Sequence, residues 1–380
     1  MLKVIIDLDA VRHNYRVLQS ACKAEVMPVV KADAYGHGMV EVSRVLAGEG
    51  VRSFAVGTVD EGLDLRNICG AIRVYSLLGP IETEDYKKIQ GSGVIPFIHS
   101  WSQIRKMAKS PASSRGIELG LKFDTGMSRL GFKPDDAAGL SVFLQQNSSL
   151  KLQIISSHLA HAGEPGMEHK AAMQMNIFRD ICRVFDEAGF RYKKSLANSA
   201  GILNCNNAWF DMVRPGISLY GGNPFTGTSR EEKGTGLKQA MHVNAPVLSV
   251  HTLPKGQGIS YGHTFTAPRD MKVAIIACGY ADNYPRCLSN LAWMLFQGRR
   301  LPVIGRVCMQ LTAVDASHAP DLAEGDRVFI LGGDGKGDID VHELAAWWQT
   351  ISYEVFCQLG KNHRTYENGS FVATKKRLTA

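Results

Sequence analysis

The chain has 380 residues, 45% of them hydrophobic and 21% charged, with a formal charge of +7. That length and composition exclude a small stapled domain, a disordered chain and a repeat array, and predict about two domains. The longest apolar runs, such as 273–278, fall short of the ~18 residues of a membrane span, and Asp7 and Asp9 interrupt any signal-like N-terminus, so a soluble cytoplasmic protein is expected. The eight cysteines are dispersed without a CxxC pair, which predicts reduced thiols rather than a disulfide framework or a zinc cage. The only tight basic run is Lys375, Lys376 and Arg377, with no interleaved aromatics, so neither nucleic acid nor membrane is expected as a partner and small anionic ligands are.

In chain order, residues 1 to about 225 alternate short apolar runs with helical patterns. The runs lie at 27–30, 53–57, 72–78, 94–98, 117–123, 152–157, 194–198 and 211–216. Between them the clearest helix is predicted over about 167–188, where Ile177, Ile181, Val184, Phe185 and Ala188 share one face. Eight strand–helix units fit an α/β fold with an N-terminal (β/α)8 barrel of the TIM type; a doubly wound sheet is the alternative that strand counting leaves open. Residues 223–236 are polar and Gly-rich and read as a linker. Beyond them alternating β patterns dominate, with one helix at about 341–348, so the predicted organisation is a barrel over 1–236 and a mostly β C-terminal domain over 237–380. The stretch 332–340 looks like a calcium loop, but counting from Asp334 puts Ile339 sixth and Ala345 twelfth, where Gly and Glu are needed, so it reads as a turn.

The most informative stretch is PVVKADAYGHG (28–38), in which an apolar strand ends at Lys31. Barrel active sites sit at the C-terminal ends of strands. A lysine at that place is either a solvated cap or, if desolvated, a neutral amine able to attack a carbonyl. His158 and His161 with Glu164 lack a fourth ligand, and no metal is expected.

Nine motifs in order decide between these readings: VVKADAYGHG (29–38), KFDTGMSRLGF (122–132), SSHLAHAGE (156–164), ANSAG (197–201), VRPGISLYGG (213–222), ISYGHTF (259–265), GYAD (279–282), GRVCM (305–309) and ISYE (351–354). With them the chain resembles the alanine racemase family, pyridoxal phosphate (PLP) enzymes built from a barrel and a β domain. The resemblance implies interconversion of L- and D-alanine, the D-alanine serving cell-wall peptidoglycan, in a head-to-tail homodimer. It implies that Lys31 holds PLP as a Schiff base and then serves as one catalytic base, and that Tyr261, from the partner subunit, is the base on the opposite face. Two opposed bases give racemisation; one base would return the proton to its original face.

The same resemblance implies that Arg214 hydrogen-bonds the pyridine nitrogen, which a permanently charged guanidinium cannot protonate, and that His158 orients it. It assigns the phosphate to Tyr35, Ser199, Gly216, Ile217 and Tyr353. Arg129 becomes a contact to the PLP phenolic oxygen or the substrate carboxylate, with Met309 and Gln310 beside the substrate. Lys122 becomes a candidate for carbamylation, whose new negative charge would orient Arg129. Tyr280, Arg286, Arg306 and Tyr353 match the entry corridor. Three departures stand out: Met309-Gln310 where the family usually has Met-Asp, Asn283 after GYAD, and KNHRTY (361–366), the last two expected to affect loops and the outer entry. Rival readings are a serine-directed or broad racemase, suggested by Gln310, a barrel-type decarboxylase, which the Arg214 and Tyr261 pair opposes, and a non-catalytic PLP carrier, which the second domain opposes.

Overall fold

The structure, a computed structural model, describes residues 1–70, 72–110, 116–333, 335 and 337–368. The basic tail run at 375–377 lies outside the described residues, as do Asp334 and Lys336 of the loop at 332–340. One parallel sheet has the order Glu25–Val26, Met212–Arg214, Lys193–Asn198, Leu150–Ser156, Ile117–Lys122, Val94–Ile98, Arg73–Ser76 and Ser53–Val56; seven of these overlap the predicted runs, and Glu25–Val26 lies just before the run at 27–30. A parallel bridge between Val29 and Ala55 closes it into the (β/α)8 barrel. Strands such as Val94–Ile98 and Ser53–Val56 are buried at every residue, as a parallel sheet with both faces covered demands. The predicted long helix is Glu168–Glu187, with Phe178, Ile181, Cys182 and Phe185 against the barrel.

Helix starts follow from their capping residues. Asp7 accepts from the backbone N–H groups of Asp9 and Ala10 to begin Leu8–Ala21, and Thr58 with Glu61 forms a capping box for Val59–Cys69.

The second sheet also has eight strands, and Met241–Leu253 pairs with both Arg327–Leu331 and Met271–Ile276, so six of the strands close on themselves. A 13-residue strand bends through this closure by a register shift between Val247 and Ser249. Lys3–Asp7, which the sequence reading places in the first segment, is built into this second sheet, antiparallel to Met241–Leu253 and parallel to Arg364–Glu367. The C-terminal part carries two helices rather than the one expected: Val341–Trp348 is followed by Ser352–Leu359, with Gln349 in the left-handed region between them. Ser352, Val355, Phe356 and Leu359 bury one face of that second helix. Gly332 and Ile339 form an antiparallel bridge, and Asp338 accepts from the Gly335 N–H.

Candidate active site

Pro28, Val29 and Val30 run between two barrel strands: the Val29 N–H donates to the Pro215 carbonyl and the Val30 N–H to the Ala55 carbonyl. Lys31 follows at the C-terminal end of this strand and lines a cavity of about 660 Å³. The chain then makes an unusual turn: Ala32, Asp33, Ala34 and Tyr35 all have φ between +52° and +55°. Such a left-handed run costs roughly 1–2 kcal/mol per residue. It is held from several sides. His37 Nδ1 lies 3.1 Å from both the Ala34 and Tyr35 carbonyl oxygens, the Gly38 N–H donates to the Asp33 carbonyl, and Arg364 pairs with Asp33 while donating to the Gly36 carbonyl. The segment 361–366 therefore contributes an arginine to the support of the lysine turn, a role the expected outer-entry position does not describe.

The cavity brings together Lys31, Tyr35, Lys122, Arg129, His158, Ser199, Arg214, Gly216, Ile217 and Tyr353, from six separate stretches of chain. At one end lie hydroxyl groups and a glycine. The Tyr35 ring centroid is 5.9 Å from that of Tyr353, and Ser199 Oγ accepts from the Gly216 N–H at 3.0 Å. Burial pushes both phenols up, so Tyr35 and Tyr353 stay protonated and can donate to an anion.

Toward the barrel axis the charges are positive. Burial lowers the Lys31 amine, and Arg129 lowers it further. Lys122 is brought down to about 8 by burial, helped by Arg214, Arg129 and Lys31. Arg214 is buried; its guanidinium donates to Ser195 Oγ and to the carbonyl oxygens of Ser157 and Leu196. These three groups fix the guanidinium. His158 Nε2 faces the Asn198 amide at 3.3 Å, and burial together with Arg214 holds its ring well below the usual histidine range, so it is neutral. Burial brings Arg214 to about 10, which still leaves it charged at neutral pH.

Arg129 is placed by a residue the sequence reading did not single out. Asp124 accepts from the backbone N–H groups of Gly126, Met127 and Ser128 through Oδ1 and of Arg129 through Oδ2. Although burial opposes it, these bonds hold its carboxyl below the usual range. The signal in the sequence was Asp-Thr-Gly directly after a strand, an Asx-turn composition. Ser157, Ser195 and Asn198 gave no such signal, being ordinary polar residues at strand ends.

The remaining predicted site residues lie elsewhere on the chain. Tyr261 is 70% exposed and Met309 57% exposed, and neither they nor Gln310 line the cavity. They do share one region of the second domain. Ser260, at φ +63°, donates to the Arg306 carbonyl at 2.6 Å and lies 3.3 Å from Cys308 Sγ, while the Ala281 N–H donates to the Met309 carbonyl. Tyr261, Tyr280, Arg306 and Met309 thus stand on adjoining loops. Among the described residues no group of three or more His, Cys, Asp or Glu is placed to hold a metal, and no helix is long and apolar enough to cross a membrane.

A cavity at the C-terminal face of a barrel, with hydroxyl and backbone donors at one end and desolvated basic groups at the other, belongs to an enzyme acting on a small anionic ligand. Residues 6–224 match the alanine racemase N-terminal domain and residues 240–366 the alanine racemase C-terminal domain. A curated alanine racemase of Nitratidesulfovibrio vulgaris (strain DSM 19637 / Miyazaki F) is 44% identical over 96% of this chain and 98% of its own. The alanine racemase of Geobacter sulfurreducens is 35% identical over 96% and 97% of the two chains. Among solved structures, alanine racemase from Streptomyces lavendulae superposes with a TM-score of 0.88 at 31% identity, covering 97% of each chain. The Bartonella henselae alanine racemase with covalently bound pyridoxal phosphate gives 0.85 at 29% identity, covering 96% of this chain and 99% of that one. The chain belongs to the alanine racemase family, whose enzymes are PLP-dependent.

Proposed function

We propose that this chain interconverts L- and D-alanine by two-base proton transfer, with Lys31 acting on one face of the substrate and Tyr261 of a second copy on the other. The observation that carries the reading is the meeting of Lys31, Arg214, Ser199, Gly216 and Tyr35 in one cavity. These residues fit PLP. Ser199, Tyr35 and Tyr353 offer hydroxyls to a phosphate, and the missing side chain at Gly216 leaves room beside its N–H and that of Ile217. Lys31 would hold the aldehyde carbon and Arg214 would face the ring nitrogen. When bound, PLP supplies the electron sink that lets the Cα proton of an amino acid leave.

The protein's own part is binding, orientation and proton movement. Burial and Arg129 lower the Lys31 amine, which favours the neutral form that can take a proton. Arg214, charged and fixed by Ser157, Ser195 and Leu196, would donate to the ring nitrogen without surrendering its proton. Tyr261 stands beside Arg306, whose guanidinium lies 3.0 Å from the place a Cβ would occupy on Gly262.

Tyr261, Met309 and Gln310 are exposed and lie on loops outside the cavity, which supports a homodimer in which the β domain, taken as 237–380, completes the partner's barrel, taken as 1–236. In that assembly Arg129 and Gln310 would meet the substrate. Lys122 supports carbamylation, because with a pKa of about 8 roughly a tenth of it is the nucleophilic free amine at pH 7. Its nitrogen would attack CO2, release a proton and leave a carbamate anion facing Arg129. A place in the cytoplasm, supplying D-alanine for peptidoglycan, accords with this chemistry. The direct test is chiral analysis of alanine incubated with the purified protein and PLP: either enantiomer should yield the racemic mixture, and Lys31→Ala should abolish it. Absence of racemisation with native protein would refute the reading.

A further inference from the structure

We propose that Glu61 is a positioning residue for the Lys31 amine: its carboxylate clamps the peptide after Lys31 to the end of the neighbouring barrel strand and holds an anion beside the amine. The inference rests on the reading of Lys31 as the cofactor-binding lysine. Glu61 Oε1 accepts from the Ala32 N–H at 2.9 Å, and Oε2 accepts from the Gly57 N–H at 2.6 Å. Ala32 is the first left-handed residue after Lys31, at φ +52°. Gly57 follows the strand Ser53–Val56, so one side chain ties two barrel strands together where the lysine emerges. The fit is close: a Cβ on Gly57 would stand 3.0 Å from Glu61 Oε2 and 3.6 Å from Lys31 Cβ.

A capping box alone does not explain this arrangement. Glu61 is the third helical residue after Thr58, and its Oε2 also accepts from the Thr58 N–H at 3.3 Å, as a box requires. The bond from Oε1 to Ala32 lies outside the box and reaches 29 residues back along the chain. Its charge matters as well. The groups facing Lys31 are Arg129 and Lys122 from the strand Ile117–Lys122 and its loop, His158 beyond Leu150–Ser156, Tyr353 and Cys357 from the helix Ser352–Leu359, and Tyr35 from its own turn. Asp124 is committed to backbone N–H groups and Asp33 to Arg364 and the Met39 N–H, which leaves Glu61 as the carboxylate that offsets Arg129 at the amine.

The test uses the holoenzyme and three variants. Glu61→Gln keeps a competent capping box through its single amide oxygen, but loses the charge and the acceptor for the Ala32 N–H. Thr58→Ala removes the capping hydroxyl and leaves the clamp. The readouts are the pH midpoint of the absorbance of the PLP–lysine linkage and the rate of PLP loss on dialysis. In Glu61→Gln the midpoint should fall by roughly half a unit or more, since an anion that favoured the protonated linkage is gone. PLP loss should quicken by about tenfold, the loss expected for a hydrogen bond to a charged group. Thr58→Ala should lower the melting temperature while leaving both values native. Glu61→Asp, charged but one methylene short, should recover much of the midpoint and little of the retention. Native values in Glu61→Gln, equal shifts in Thr58→Ala, or full recovery of retention in Glu61→Asp would each overturn the proposal. Borohydride reduction of native protein separates the two readings. A pyridoxyl label on another lysine overturns the Lys31 assignment and the proposal with it, whereas a label on Lys31 with an unmoved Glu61→Gln overturns the proposal alone.

Discussion

Gly216 lies so near Tyr35 that a Cβ built on it would stand 2.3 Å from the phenol oxygen and 2.9 Å from the ring carbon bearing it. Gly216 has a negative φ of −121°, and the demand for glycine drawn on here is the space a Cβ would take from Tyr35. Gly216→Ala should therefore displace Tyr35 while leaving the barrel folded. We expect PLP affinity to fall by about tenfold or more and the melting temperature to change little, because the fault lies in two ligands of one anion. Equilibrium dialysis against PLP measures this. Tyr35→Phe in the Gly216→Ala background should not restore affinity, since it relieves the clash with the oxygen but sacrifices its hydrogen bond. An unaltered affinity in Gly216→Ala would remove Tyr35 and Gly216 from the phosphate site.

Lys122 gives a pH signature of its own. Its pKa is depressed to about 8 by burial and by Arg214, Arg129 and Lys31, against 10.5 for an ordinary lysine. Between these values the unfolded chain binds more protons at this residue than the folded one, so stability rises with pH across roughly pH 8 to 10.5. Below that window the cost of the buried cation is fully present. Lys122→Met should accordingly be more stable than native protein at pH 6 to 7 in bicarbonate-free buffer, and the advantage should shrink as pH rises through the window. Denaturant midpoints at several pH values check this, and a pH-independent difference would contradict the depressed pKa. Labelled bicarbonate should add one carbamate carbonyl resonance that Lys122→Met lacks.

Much of this was legible because burial writes itself into composition. Seven of the eight barrel strands were visible as short apolar runs, since strands covered on both faces have no polar side to break the pattern, and the eighth, Glu25–Val26, lies just before the run at 27–30. Lys3–Asp7 falls within the segment 1–236 read as the barrel, and only pairing with residues 241–244 and 364–367 assigns it to the other sheet; such long-range register leaves no local mark. The helix Ser352–Leu359 was missed because eight residues carry barely two turns of periodicity. At the site, the resemblance supplied the list that the cavity later gathered. The bonds that fix those residues, Glu61 to Ala32, Asp124 to its loop and Ser195 to Arg214, join groups that are unremarkable one at a time. The left-handed turn at 32–35 contradicts local propensity outright, and only its neighbours hold it.

The proposed exchange of active-site parts between subunits predicts complementation. Lys31→Ala and Tyr261→Phe homodimers each lack one base and should be inactive. A mixed dimer has one site with both bases and one with neither. Random exchange makes half the dimers mixed, so specific activity should recover to about a quarter of native. Subunit exchange is followed by differently tagged chains. Recovery of nothing after proven exchange would mean that Lys31 and Tyr261 serve the same chain, or that Tyr261 is not a base.

Substrate preference turns on Gln310. It occupies the place where the family usually has an aspartate, and it is exposed on the loop beside Met309, which the Ala281 N–H ties to the Tyr280 loop. In the proposed dimer this loop faces the partner's cavity, with Tyr35 and Tyr353 leaving little room beyond a substrate Cβ. A carboxylate there can only accept a hydrogen bond, whereas an amide both donates and accepts and so can satisfy a serine hydroxyl. A pocket rejects an added hydroxyl strongly only when it leaves polar groups unpaired, so native protein should prefer alanine over serine by at most ~100-fold in kcat/KM. Gln310→Asp should widen that ratio by roughly tenfold, mainly through a loss on serine, since the change removes one donor. Steady-state kinetics on both amino acids decide the matter: a native preference far above the bound, or a ratio that Gln310→Asp leaves untouched, would show that specificity is set by another residue.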